Sequence, residues 1–226
     1  MRAVSETDAE ADEVLDGARS LVVGIQATMG RMCEVVLHDF RMKDHSIVAI
    51  AGDVTHRGVG SPMSEIGLAL SRAGDQAEDR LNYLTRLADG RIMKSSTMLL
   101  RTPRGRVVGA LCINLDVTQM RVLTNLMADM SGAPPETTPE PVPITFASNV
   151  EGVLEAVLAD VETQLGRPLT HLGPTDWLRV FRLLDDRGVF QIRRAVPLLS
   201  ERLGMSRATV YNYLNRLREE EPPAAS

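Results

Sequence analysis

Cysteine is nearly missing from this chain: Cys33 and Cys112 are the only two in 226 residues, and they form no C-x-x-C pair. That excludes a disulfide framework and a zinc-ribbon spacing, and it predicts reduced thiols in a cytoplasmic protein. The four histidines, His38, His45, His56 and His171, are scattered without metal-ligand spacing. No apolar run is long enough to span a membrane, and the acidic, polar first residues predict no signal peptide. A Ser-His-Asp spacing and a phosphate-cradling glycine loop are absent too. An enzyme is therefore not expected, nor a bound cofactor or metal. Glu34 and His38 as an acid–base pair would be too little to carry a reaction.

What is present is ordinary in amount and uneven in placement. Apolar residues make up 44% and charged residues 24%, the proportions of a globular protein with room for two small domains or one large one. The net charge of −5 argues against a protein that coats nucleic acid over its whole surface. Between Thr175 and Arg218, however, nine arginines face four acidic residues, so this segment carries +5 and the remainder −10. A basic module on an acidic body fits a local DNA footprint.

Within that module, Ala195–Arg218 reads as two short helices around a tight turn. Pro197 sits in the first turn of the first helix, where its missing N–H does no harm. Gly204 can take the left-handed conformation that ends it, and Ser206 offers a capping hydroxyl to the next helix. The expected buried face is Leu199, Leu203, Met205, Val210, Tyr213 or Leu214, and Leu217. Arg207, Thr209, Tyr211, Asn212 and Asn215 then fall on or beside the outer face, with Ser206 at its start and Arg216 and Arg218 adding backbone contacts. Such side chains reach base edges or phosphate oxygens. A structural αα-hairpin could share the glycine turn, but a merely soluble outer face would carry Glu and Lys. The segment is a helix-turn-helix of the DNA-reading kind.

The rest of the chain is read in order. Residues 1–11 are polar and expected to fray, with Thr7 and Glu10 as a capping box for a helix carrying Val14, Leu15, Ala18, Leu21, Val22, Ile25 and Met29 at helical spacing. Cys33–His38 and Ser46–Ala51 form a predicted hairpin around Lys43-Asp44-His45. Glycines then break the chain, with short helices expected over Ser64–Leu70 and Asp75–Arg80. Three strands follow, Tyr83–Ala88, Arg91–Arg101 and Arg106–Leu115, joined by Asp89-Gly90 and Pro103-Arg104-Gly105 turns. A helix over Asp116–Met130 closes the unit through Val117, Met120, Leu123, Leu126, Met127 and Met130. Five prolines between Ala133 and Pro143 predict a stiff linker. Ser148 with Glu151 then caps a helix whose stripe of Val150, Val153, Leu154, Val157, Val161 and Leu165 suits a partner helix or its own domain equally. Trp177–Asp185 supplies the first helix of the DNA module, and Gly188-Val189-Phe190 turns the chain toward the reading pair.

Several stretches carry a family likeness: Cys33-Glu34-Val35-Val36-Leu37-His38, Gly60-Ser61-Pro62, Met93-Lys94-Ser95-Ser96 and Gly109-Ala110-Leu111-Cys112-Ile113-Asn114-Leu115. Phe146-Ala147-Ser148, Gly188-Val189-Phe190 and Ala195 through Leu214 continue it. In this order they resemble the YheO-like transcriptional regulators, although the linker is richer in proline than that pattern. The resemblance implies an α+β chain: a PAS-like antiparallel-sheet sensor domain with its N-terminal helix (residues 1–132), a proline-rich linker (133–147), and an all-α segment of helical linker plus helix-turn-helix (148–221). It implies a one-component regulator whose sensor binds a small molecule, with an amino acid or related metabolite as first expectation, and so alters the grip on a double-stranded operator. Repression and activation both stay open. A homodimer or higher homo-oligomer would set two reading helices about 34 Å apart, in successive major grooves.

PAS-type domains hold small molecules between sheet and helical insertion, so polar residues within apolar strands are the ligand-binding candidates. These are His38, Lys94, Ser96, Cys112 and Asn114. Lys94, Ser96 and Met98 share one face of their strand, and Ser95 and Thr97 share the other. Each has a structural alternative: a local hydrogen bond for His38, snorkelling for Lys94, plain apolar packing for Cys112. Two rival readings accompany the regulator: an adaptor whose helix-turn-helix docks a protein, and an enzyme built on the sensor domain.

Overall fold

The computed structural model describes residues 6–132, 142–143, 146–147 and 149–220. Helix α1 spans Glu6–Met29. It buries Ala11, Leu15, Ala18 and Val22, positions three and four residues apart, while Leu21 and Met29 stay half exposed. Residues 6–11, expected to fray, are instead its first turns, held where Arg41 meets Asp8 at 3.9 Å and Asp12 at 2.7 Å. The side chain of Thr7, half of the expected capping box, lies outside the described residues.

Strands β1 (Cys33–Asp39) and β2 (Ile47–Ala51) form the expected hairpin, with Val36 opposite Ile50. Strands β3 (Arg80–Arg86), β4 (Ile92–Arg101) and β5 (Val107–Asp116) form the meander, and β5 pairs back onto β1. The resulting antiparallel order is β2-β1-β5-β4-β3, extended by a two-residue parallel strand β6 (Val142–Pro143) beside β3. The end of the expected linker is thus paired to the sheet edge, whereas residues 133–141 lie outside the described residues. Strand alternation sends Cys33, Val35, Leu37 and Leu111 into one core with α1. The opposite face takes Glu34, His38, Ser95, Thr97 and Asn114, all buried.

Over that second face lies helix α2 (Glu65–Ala73), capped by Ser64, whose hydroxyl accepts from Gly67 N. The helix expected over Asp75–Arg80 does not form. A single 3-10 turn covers Gly74–Gln76, and Arg80 already opens β3. The acidic side chains there serve the neighbouring strands: Asp75 accepts from Val107 N and Asp79 from Leu99 N, each at 2.8 Å. These bonds give carboxylates an alternative to capping a helix.

Helix α3 (Thr118–Ser131) forms where expected but buries none of its residues. Helix α4 (Val150–Leu165) is capped by Asn149, which accepts from Gly152 N at 2.8 Å; the expected cap, Ser148, lies outside the described residues. Between a partner and its own chain, α4 takes its own chain. Val153, Leu154, Val157, Leu158 and Val161 are buried with Met63 and Leu68 on one side and with Val180 and Leu184 on the other. Helices α5 (Pro174–Asp186), α6 (Ala195–Leu203) and α7 (Arg207–Glu220) complete the chain. One continuous core runs from Ala110 in the sheet through α2 into the C-terminal helices.

Candidate functional site

The reading surface is built from its inner side. Val210, Leu214 and Leu217 of α7 are buried with Phe181 of α5, and Tyr213 stacks on the Phe181 ring with centroids 4.8 Å apart. Phe190 stacks on the same ring at 6.0 Å. Both Tyr213 and Leu214 therefore point inward, while Leu203 and Met205 are only partly covered. Gly204 turns the chain with φ 63° and ψ 27°, and Ser206 accepts from Thr209 N at 3.0 Å as the cap of α7. The Ser206 and Thr209 hydroxyls also bond each other at 2.8 Å.

With that face fixed, Arg207, Tyr211, Asn212, Asn215, Arg216 and Arg218 stand exposed on the outer side, beside Ser206 and the half-buried Thr209. Of the seven residues expected to bind DNA, Ser206 caps α7 and the other six lie on the helix outside its buried face, Thr209 half-buried among them. The positive charge is narrower than the sequence count suggests. Arg187 pairs with Asp160 at 2.5 Å and Arg202 with Glu155 at 2.6 Å, tying the reading module to α4. Arg207, Arg216 and Arg218 make no ion pair among the described residues. Free guanidinium groups gathered on an exposed helix face can contact phosphates or base edges.

A second feature lies between the sheet and α2: a narrow crevice with room for about one water molecule. His38, Cys112 and Asn114 line it, three of the expected ligand-binding residues. Lys94 and Ser96 do not. They face the other way on β4, where Lys94 is exposed and the Ser96 hydroxyl accepts from Asn82 N at 3.0 Å. Strand parity groups the residues correctly but cannot say which group faces the insertion; Ser95 and Thr97 do.

The residue missed in the sequence is Arg57. It sits in the glycine-broken segment after β2, where no periodicity marks burial, yet its side chain is 2% exposed. Glu34 beneath it is fully buried and accepts from Val54 N at 3.1 Å, Thr55 N at 2.9 Å and the Thr55 hydroxyl at 2.7 Å. Asn114 adds a bond to Glu34 at 3.3 Å and is itself held by Ser95 at 2.9 Å. Arg57 gives its Nε–H to Thr55 at 2.9 Å and reaches Glu34 from Nη2 at 3.4 Å. The Phe146 ring covers its face at 4.5 Å. His38 Nδ1 bonds the Ser46 hydroxyl at 2.9 Å, and burial followed by the nearby Arg57 charge lowers its pKa to about 3, so the ring is neutral. Tyr83 bonds Thr97 at 2.9 Å, and burial raises its pKa to about 12. Burial likewise holds the Cys112 thiol protonated. The crevice wall thus mixes apolar Phe40, Ala110 and Phe146 with neutral polar groups and Arg57, whose charge is paired with buried Glu34.

A PAS-like sheet domain joined to a helix-turn-helix with an outward Arg and Asn face defines a transcriptional regulator. The comparisons agree: a family model described as a YheO-like PAS domain matches residues 9–132, and a helix-turn-helix domain model matches residues 153–215. The chain belongs to the YheO-like family. It is 31% identical to an uncharacterised protein of Haemophilus influenzae over 94% of this chain and 95% of that one. Against the uncharacterised protein YheO of Escherichia coli K12 it is 29% identical, over 91% of this chain and 85% of the relative. It is 27% identical to the transcriptional regulator DauR of Pseudomonas aeruginosa over 92% and 96% of the two chains. No solved structure matches. No helix among the described residues is long and apolar enough to cross a membrane.

Proposed function

We propose that this chain is a cytoplasmic one-component regulator: a small molecule enters the cavity under α2 and changes how α7 binds an operator. The carrying observation is the exposed edge of α7, where Arg207, Asn212, Asn215 and Arg216 stand on a helix anchored from behind by Phe181 and Leu214. A homodimer serves this reading, because a palindromic site needs two such helices. Its seam is α3, where Met120, Leu123, Met127 and Met130 repeat at heptad spacing and are 51–81% exposed. The occupant that fits a 3-4-3 stripe is a second α3.

Selection of bound duplexes from a random DNA library, followed by titration at increasing salt, tests the reading. A reader yields a palindromic site and loses affinity steeply as salt rises. Weak, salt-insensitive association would favour a protein-docking adaptor instead.

A further inference from the structure

The turn between β1 and β2 meets the turn that leads into α6 through polar bonds: the Lys43 ammonium donates to the Gln191 side chain, and Arg193 N donates to Asp44 at 3.3 Å. Beside these bonds opens a cleft of about 420 Å³, with Arg41 through His45 on one wall and Gln191 and Arg193 on the other. That volume falls within the range of small-molecule sites.

The charges around this cleft do not cancel. Arg41 is matched by Asp39 at 2.8 Å and Asp12 at 2.7 Å. Lys43 meets only the neutral Gln191 amide, so two of its three N–H donors are unused. Partial burial lowers its pKa, and no carboxylate offsets that effect. The Arg193 guanidinium is exposed and makes no hydrogen bond or ion pair among the described residues. Asp44 is the one acid on the wall, and its Oδ1 already accepts from Arg193 N. His45 donates Nδ1–H to the Gly60 carbonyl at 3.0 Å and adds no negative charge. Lys43 and Arg193 against Asp44 leave the cleft net positive. An ammonium and a guanidinium on opposite walls suit a phosphate group, whose terminal oxygens diverge and can accept from both at once.

We propose that this cleft binds a phosphate group, carried by a small phosphorylated metabolite or by the DNA backbone, with Lys43 and Arg193 as its donors. A phosphate held by both side chains bridges the β1–β2 turn to the entry of α6, so it stiffens the seam between the PAS-like domain and the reading helices. The site goes beyond the regulator reading and needs no ligand in the crevice under α2.

Thermal shift of the full chain without DNA, at constant ionic strength, tests the first source, with inorganic phosphate and glycerol phosphate as probes and acetate as the comparison. At saturation the phosphates raise Tm by about 3 °C or more and acetate does not. Lys43→Gln and Arg193→Gln each weaken the apparent affinity at least tenfold with an unaltered circular dichroism spectrum. Arg193 is exposed, so its variant keeps the test readable if Lys43→Gln fails to fold. Titration of a random-sequence duplex at rising salt tests the second source. If the cleft holds a backbone phosphate, each variant lowers the slope of log affinity against log salt by about one contact. A phosphate response with the wild-type slope assigns the site to a small molecule, and a lowered slope without that response assigns it to DNA. A Tm response that is absent, or shared equally by both variants as general salting would produce, overturns the proposal when the slope is also unchanged. The phosphate arm stands whether or not the chain reads an operator.

Discussion

Arg207 opens α7 and is exposed, and under the proposed reading it is the position from which the helix N-terminus would meet a groove. Arg207→Ala should weaken operator binding by about 1–3 kcal/mol if it reads a base, or lower the salt dependence by about one phosphate contact if it meets the backbone. An anisotropy titration at several salt concentrations separates these, and unchanged affinity and slope would remove Arg207 from the interface. His38 carries a second prediction. Unfolded, its ring titrates near pH 6.5, whereas in the fold its pKa is lowered to about 3. Between those values the unfolded chain binds a proton that the folded chain refuses, so stability falls as pH drops. From pH 7 to pH 5 the loss from this group is about 2 kcal/mol. His38→Asn keeps a partner for Ser46 and should make urea midpoints less sensitive over that interval; an equal sensitivity would count against the buried neutral ring. At this scale the sequence was legible on α7, where helical period alone separates Arg207 and Asn212 from Val210 and Leu214. It was illegible for Arg57, whose burial is set by Glu34 on a strand 23 residues earlier.

Among elements, the turn signals Asp89-Gly90 and Pro103-Arg104-Gly105 located the meander because they demand tight reversals whatever surrounds them. Where tertiary partners decide, local pattern failed. Asp75 and Asp79 look like helix starters and instead bond strand backbones, and the α3 and α4 stripes look alike although, among the described residues, only α4 is covered. Apolar periodicity states that a face wants cover but not what covers it. That distinction makes α3 testable. Leu123→Glu with Met127→Glu places charges on an exposed face, so the isolated fold should survive with stability changed by about 0.5 kcal/mol or less. Sedimentation should shift from dimer to monomer and operator affinity should drop with it. A variant that stays dimeric would move the seam elsewhere. The cap of α7 offers a smaller, local effect: Ser206→Ala removes the acceptor for Thr209 N and should cost about 1 kcal/mol in chemical denaturation.

For the whole molecule, the two domains meet through α2, which has the cavity on one side and the C-terminal helices on the other. Ser64 and Gly67 line the cavity. Leu68 is buried against α4, Arg72 pairs with Asp185, and the Ser71 hydroxyl bonds Gln191 at 3.3 Å. At the centre of this contact Gly188 has φ 73°, and a Cβ there would sit 2.6 Å from the Leu68 carbonyl oxygen. Gly188→Ala therefore sets backbone against backbone, in a conformation that an L side chain already disfavours by about 1 kcal/mol. The continuous core predicts that the wild-type chain melts in a single transition. The wedge at Gly188 should split that transition and leave α7 able to bind DNA on its own terms. If a ligand in the cavity reaches α7 through α2, the variant still gains Tm in its sensor transition from that ligand while its operator affinity no longer responds. Should operator affinity respond as in the wild type, α2 is not the link, which leaves the Lys43–Gln191 and Asp44–Arg193 contacts and the strand-paired segment at Val142–Pro143 as the routes.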